Sequence, residues 1–258
     1  MTKNRINEGQ SVLYGRNPVM EAIENGSAPI EKVLLQKGSS GGSFSAVHRA
    51  ANRAGIPVQF VPKAKIDRLV GQVNHQGVAA TTSAIPYTDV YDVLKTFPSD
   101  RDELVKLNPR LVFLDRVTDP HNLGAVIRSA LAFGASAVLV PAVDSAPLNA
   151  VVVKSSAGAA LRMPICRVSN PVNLFQELKE RGFWIFGAEG AAENRVENVD
   201  WARPTVVVVG SEGEGIRSTL IEQCDYLVSI KIDDTIDSLN VSVAAGVVLF
   251  EAAKGRYA

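Results

Sequence analysis

The chain is predicted to be an α/β protein built on a parallel sheet, with a smaller α/β unit in front of it. From Arg110 onward, apolar runs of five to seven residues alternate with helical patterns, as expected of strands buried on both faces by helices. Ahead of Pro86 a shorter set of helix and strand patterns precedes a stretch rich in proline and charge. With 258 residues, the chain can hold one large α/β domain or two modest ones.

In the front unit, "NPVMEAIENG" (17–26) reads as a helix opened by Asn17, with Pro18 at its first position and Gly26 past its end. A strand is expected over 31–36, a helix over 44–55 ended by Gly55, a strand over 57–62, a helix over 63–71 and a closing strand over 77–83. Residues 86–109 are expected to form a linker containing a short helix. The second unit, 110–258, offers strands at 111–115, 136–141, 183–188, 205–210 and 226–232. Ligand chemistry in such a sheet belongs at the C-terminal ends of its strands.

Composition excludes several classes. The chain is 46% hydrophobic and 21% charged, ordinary for a globular protein. Its apolar runs are far too short for a membrane span, and "MTKNRINEGQ" lacks the apolar core of a secretory signal. Two cysteines, Cys166 and Cys224, and three histidines, without metal-ligand spacing, fit a reducing cytoplasm and no metal centre. A net charge of zero hides an asymmetry: residues 1–85 carry ten Lys/Arg against five Asp/Glu, and residues 86–258 seventeen against twenty-two. A basic front half suits a phosphate-rich partner.

Three loops carry candidate chemistry. In "LDRVTDPHNLGAVIRSALAFGA" (114–135), Asn122 is expected to cap a helix closed by Gly134. Within it Gly124, Ala125 and Ala132 leave room around Arg128, whose planar cationic fork suits a phosphate. "VVVVGSEGEGI" (206–216) puts a glycine-rich turn after a strand. Its G-x-x-G-x-G spacing is neither the dinucleotide fingerprint nor a phosphate loop, and Glu212 and Glu214 would repel a pyrophosphate. "SIKIDDTIDSLNVSVAAG" (229–246) leads three aspartates into a helical stripe after Asn240. Those aspartates lack calcium-loop spacing. Capping accounts for Ser238 but not for Asn240.

In this order, Asn122 and Arg128 in "DPHNLGAVIR", "GSEGEG" (210–215) and "SLNVSVAAG" (238–246) resemble the three motifs of the SpoU/TrmH branch of the SPOUT-class RNA methyltransferases. "YGRNPVMEAI" (14–23) and "NHQGVAA" (74–80) are similar to the family's N-terminal substrate-binding domain, which has a ribosomal protein L30e-like fold. The resemblance implies a trefoil-knotted C-terminal methyltransferase domain and the cofactor S-adenosyl-L-methionine (SAM), contacted by Gly210, Ile230 and Leu239 and lined by Gly187. It further implies transfer of a methyl group to a ribose 2′-hydroxyl, by likeness of a guanosine in 23S ribosomal RNA. Arg128 would act on that hydroxyl within a frame of Asn122, Glu212, Ser238 and Asn240. The site would be completed across a homodimer, partly through Ser242, Ala245, Gly246 and Leu249. Arg16, Lys32, Arg49, Arg53 and Lys65 are candidate RNA contacts in the basic front unit.

Two other readings stay open on the residues alone. A transfer-RNA substrate is one. An RNA-binding homologue with weakened catalysis is the other, because Lys231 and Asp234 stand where the family pattern has proline and glycine. Asp234 would be strained if its position required a positive φ. A Rossmann-type nucleotide enzyme needs its glycine-rich turn after the first strand of the α/β half, where only Gly124 is found.

Overall fold

The computed structural model describes residues 12–254 apart from 27, 40, 41, 72 and 84. The chain divides into two compact units, one holding residues up to 86 together with 147–151, the other holding 87–146 and 152 onward.

The first unit runs β1 (Val12–Tyr14), α1 (Arg16–Asn25), β2 (Ile30–Gln36), α2 (Gly42–Arg53), β3 (Val58–Val61), α3 (Lys63–Val70) and β4 (Val78–Thr82). Its sheet has the order β1-β4-β2-β3, with β4 antiparallel to both neighbours and β3 parallel to β2. Period-two alternation divides the side chains between two faces. Val33, Leu35, Val78 and Ala80 pack with Val19 of α1 and Val47 of α2, whereas Leu34 and Ala79 pack with Ile66 of α3. Helix α1 starts two residues earlier than the sequence pattern indicates. Gly15, at φ 93°, is its N-cap, and Asn17 lies inside the first turn, where Pro18 loses no hydrogen bond.

From residue 87 the order is α4 (Val90–Leu94), α5 (Arg101–Leu107), β5 (Arg110–Leu114), α6 (Pro120–Ala132), β6 (Ala137–Pro141), α7 (Ala150–Ser155), β7 (Ile165–Val168), α8 (Pro171–Glu180), β8 (Trp184–Ala188), β9 (Asn194–Arg195), β10 (Thr205–Val209), α9 (Ser218–Ile221), β11 (Tyr226–Ser229) and α10 (Val241–Ala253). Residues 86–109, expected as a linker with one short helix, carry α4 and α5, capped by Asp89 and Asp100. Val90, Val93, Leu94 and Leu104 of this stretch are buried with Leu111, Phe113, Phe175 and Val208.

The second sheet has the order β7-β6-β5-β10-β8-β11-β9, and every pair in it is parallel. Strands β5, β6 and β10 are buried at every residue, which accounts for their unbroken apolar runs. Strand order reverses at β5, with β6 and β7 on one side and the later strands on the other. Val209 stands level with Leu114 and with Ala188. The loops after β5, β8 and β10 therefore leave the sheet at one edge, at a topological switch point where open α/β sheets bind ligands.

Candidate active site

The loop after β10 closes on itself. Ser211 and Gly215 exchange backbone hydrogen bonds of 3.1 Å each. A Cβ on Gly210 would lie 2.0 Å from the Gly215 carbonyl carbon, so no side chain fits there. Gly213 and Gly215 turn at φ 87° and 64°, which glycine adopts without steric cost. The spacing G-x-x-G-x-G is what this fold of the backbone demands.

The end of β5 grips the same loop. Asp115 is fully buried. Its carboxylate accepts the backbone N–H of Arg217 at 2.8 Å and forms a 2.6 Å ion pair with the Arg217 guanidinium. Its own N–H donates to Val209 O at 2.8 Å. The next residue, Arg116, takes φ 57°, pairs with Glu214, and donates to Gly215 O at 3.4 Å. Sequence reading ended a strand at Asp115 without giving Asp115, Arg116 or Arg217 a role. The available signal was an acid closing an otherwise apolar strand, because a buried charge requires partners.

On the solvent side of this loop three of the expected site residues meet. Glu212 Oε1 accepts from Asn122 Nδ2 at 3.2 Å, from the Val241 N–H at 3.3 Å, and from Asn240 Nδ2. Asn240 Nδ2 also donates to Asn122 Oδ1 at 3.1 Å. Asn240 Oδ1 meanwhile accepts the Ser242 N–H at 2.9 Å and so caps α10. The capping roles thus differ from those expected. Asp119, not Asn122, caps α6 through the His121 N–H at 3.0 Å, which leaves Asn122 one turn in and free to reach Glu212. Likewise Asn240, not Ser238, caps α10.

Beside this network lies a cavity of about 420 Å³, within the range of small-molecule sites, roughly 300–1,000 Å³. The expected Gly210, Glu212, Ile230, Ser238 and Leu239 line it, with Ala188, Glu189 and Gly190 after β8. Gly187 does not line it. A Cβ there would meet Cys224 Sγ and Leu227 Cδ2 at 2.9 Å each, so this glycine serves packing beneath the loop. Backbone groups of the glycine turn and the apolar walls of Ile230 and Leu239 suit an adenosyl group, whose ring offers polar edges and an apolar face.

Lys231 and Asp234 are both exposed and outside the cavity lining. Asp234 is not among the residues with positive φ, so the strain raised against it does not arise. Neighbouring Asp233 accepts the Thr235 N–H at 3.0 Å and its hydroxyl at 2.6 Å. Those bonds, the hydroxyl first, hold its carboxyl below the ordinary range. The acidic run is therefore a hydrogen-bonded turn, and no group of three His, Cys, Asp or Glu residues poised to hold a metal occurs among the described residues. Burial pushes the Cys166 and Cys224 thiols up to about 12, so neither supplies a thiolate near neutral pH.

Arg128 is not brought into the network. It stands exposed on α6. Gly124 does not clear room for it either. A Cβ on Gly124 would strike Ser155 Oγ at 1.9 Å, so that glycine admits the neighbouring chain. Of the five cations expected at RNA, Lys32, Arg49, Arg53 and Lys65 are exposed and dispersed over the first unit, and Arg16 is half-buried.

The SpoU rRNA Methylase family matches residues 109–250, and the family described as RNA 2′-O ribose methyltransferase substrate binding matches residues 12–88. The chain belongs to the SpoU rRNA methylase family. It is 38% identical to the 23S rRNA (guanosine-2′-O-)-methyltransferase RlmB of Xylella fastidiosa over 97% of this chain and 99% of that protein. With the enzyme of the same name from Xanthomonas campestris it shares 39% over 95% and 96%. The crystal structure of the SpoU methyltransferase AviRb from Streptomyces viridochromogenes, in complex with AdoMet, aligns with a TM-score of 0.59 at 25% identity, covering 99% of this chain and 94% of that one. This family member is an RNA ribose 2′-O-methyltransferase, and its cofactor is SAM.

Proposed function

We propose that this enzyme methylates the ribose 2′-hydroxyl of a guanosine in 23S ribosomal RNA, as its RlmB relatives are named for doing. The observation that carries the site assignment is the meeting of Asn122, Glu212 and Asn240 at the rim of the cavity. SAM supplies an electrophilic methyl group. Gly210, Ile230 and Leu239 hold its adenosyl part, and Ser238, exposed at the same rim, reaches the ribose that reacts. Asn122 and Asn240 fix the Glu212 carboxylate, and rigid placement of the acceptor geometry is what the displacement needs. Arg128 holds the neighbouring phosphate and orients the nucleophile. A guanidinium stays protonated, so the hydroxyl proton passes instead to Glu212, the carboxylate within the frame.

Arg128 lies outside the network of its own chain, which supports a site completed by a second copy. Helix α10 offers the apolar surface for such a homodimer. It buries Val241, Ala245, Val248 and Leu249 yet leaves Val243 51% and Phe250 50% exposed. The front residues 1–85 would recognise RNA, and 110–258 would carry the chemistry. Free Cys166 and Cys224 are in keeping with a cytoplasmic enzyme, and no described helix is long and apolar enough to cross a membrane.

The test is methyl transfer from labelled SAM to a 23S ribosomal RNA transcript, with mapping of 2′-O-methylated positions. One modified guanosine is expected, and transfer only to transfer RNA would overturn the substrate. Arg128→Ala should lower kcat by about 10²-fold, the scale of losing one orienting or charge-stabilising contact, while the SAM Kd stays unchanged. Near-normal turnover by that variant would remove Arg128 from the mechanism.

A further inference from the structure

The first unit carries a second cavity, of about 750 Å³, lined by Arg16, Gln36, Ser39, Lys63, Asn74, Gln76 and their neighbours, with no carboxylate among the lining residues. Arg16 is the first residue of α1 and Lys63 the first residue of α3. Both are placed against local energetics, because the positive end of a helix dipole disfavours a cation and favours an acid. Neither helix has an acid in its first turn or a side-chain cap. Two uncapped helix starts, each led by a cation, therefore face one polar cleft. An anion held between them would offset both penalties.

The wall opposite is a fixed loop. His75 is 3% exposed, and both of its ring nitrogens are committed. Nδ1 accepts the Gly77 N–H at 3.0 Å, so the proton sits on Nε2, which donates to Asp67 Oδ1 at 2.9 Å. This lock, with Gln76 at φ 52° and Gly77 at 75°, turns the Asn74 and Gln76 side chains outward, where both are exposed. Arg16 Nε donates to the Gln76 carbonyl at 3.3 Å, tying the cation to the loop. A Cβ on Gly77 would lie 3.2 Å from Gln36 Cβ and 3.3 Å from Ser39 Oγ, so the loop sits close against the end of β2.

We propose that this cleft binds one nucleotide of the RNA substrate, with its phosphate at Arg16 and Lys63 and its base edge or ribose at Gln36, Asn74 and Gln76. His75 is a positioning residue that acts through the loop. The inference rests on the enzyme's reading as an RNA methyltransferase and narrows it. One cleft, rather than the five dispersed cations, makes the contact, and Lys63, Asn74 and Gln76 join Arg16 there. Carboxamides that face a ribose or a base edge read single-stranded or looped RNA rather than a regular duplex.

The experiment measures binding of the full-length protein to the 23S ribosomal RNA transcript, with SAM binding by calorimetry in parallel. Lys63→Glu should raise the RNA Kd about tenfold or more and flatten its salt dependence, since one phosphate contact is lost. Arg53→Glu, an equal charge change on α2, should raise it about threefold at most. The SAM Kd should be the same in both. Asn74→Ala should weaken RNA binding while leaving the salt slope unchanged. His75→Ala should weaken RNA binding non-additively with Lys63→Glu, the mark of two residues acting through one contact. Equal effects of Lys63→Glu and Arg53→Glu would overturn the cleft in favour of diffuse charge, as would wild-type binding by Lys63→Glu and Asn74→Ala. Wild-type protein that binds SAM but neither binds nor methylates the transcript would overturn the substrate reading and the cleft with it.

Discussion

The cofactor cavity and the front-unit cleft are built on opposite principles. Around the cofactor cavity the polar groups have found one another. Asp115 is spent on Arg217 and Arg116 on Glu214 and Gly215, while Glu212 gathers Asn122, Asn240 and the start of α10. In the first unit His75 locks the scaffold beneath the cleft, and the surface above it presents helix starts without side-chain caps, led by Arg16, which donates to the Gln76 carbonyl, and by Lys63. A site that must fix a small cofactor gains from internal closure, because preorganisation lowers the cost of binding. A site for a polyanion gains from cations presented at its rim.

This contrast can be broken most severely at Asp115. Asp115→Ala leaves the Arg217 guanidinium and N–H without their acceptor, and should cost about 3–5 kcal/mol, the scale for removing one partner of a buried pair. Denaturant unfolding would show it, and a loss under 1 kcal/mol would mean that the grip on the loop is dispensable. Next comes Gly210→Ala. Its Cβ would overlap the Gly215 carbonyl carbon, and the displaced loop should lose about 3 kcal/mol, typical of severe overpacking, with SAM binding weakened alongside. Calorimetry reporting wild-type affinity would show that the loop tolerates a shift. The smallest effect has the opposite sign. Lys63→Glu, expected to damage RNA binding, should raise stability by about 0.3–1 kcal/mol, because an acid suits a helix N-terminus. A melting temperature below wild type would show that the Lys63 cation already has a stabilising role within the protein.

Much of the fold was legible because it rests on local pattern. The apolar runs at 111–115, 136–141, 183–188, 205–210 and 226–232 correspond to strands β5, β6, β8, β10 and β11. The expected front-unit helices start within about two residues of their predicted positions, whereas the short helices α7 and α9 were not anticipated. Strands β1, β7 and β9 escaped because segments of three, four and two residues carry too little period to register. At the site, local pattern gave residue types, and only the family resemblance grouped Asn122, Glu212 and Asn240. Asn122 and Asn240 read as a cap and a puzzle. Their roles depend on Glu212, 90 and 28 residues away, a separation no local periodicity encodes. Gly124 was likewise read as room around Arg128 and Gly187 as lining the cofactor slot, when their missing Cβ atoms make room for Ser155 and for Cys224 with Leu227. A glycine signals close approach without saying to what.

Strand β10 lies between β5 and β8, and it is the only strand that pairs with both on their facing edges. Both partners leave the ribosome before it does. During synthesis the middle of the sheet is therefore vacant, with two apolar strands showing bare hydrogen-bonding edges, until residues 205–209 emerge and enter. Such edges invite pairing with other chains, and pairing across so long a stretch of sequence is slow. The interval between emergence of Ala188 and emergence of Val209 is thus one in which the facing edges of β5 and β8 are open to wrong pairing.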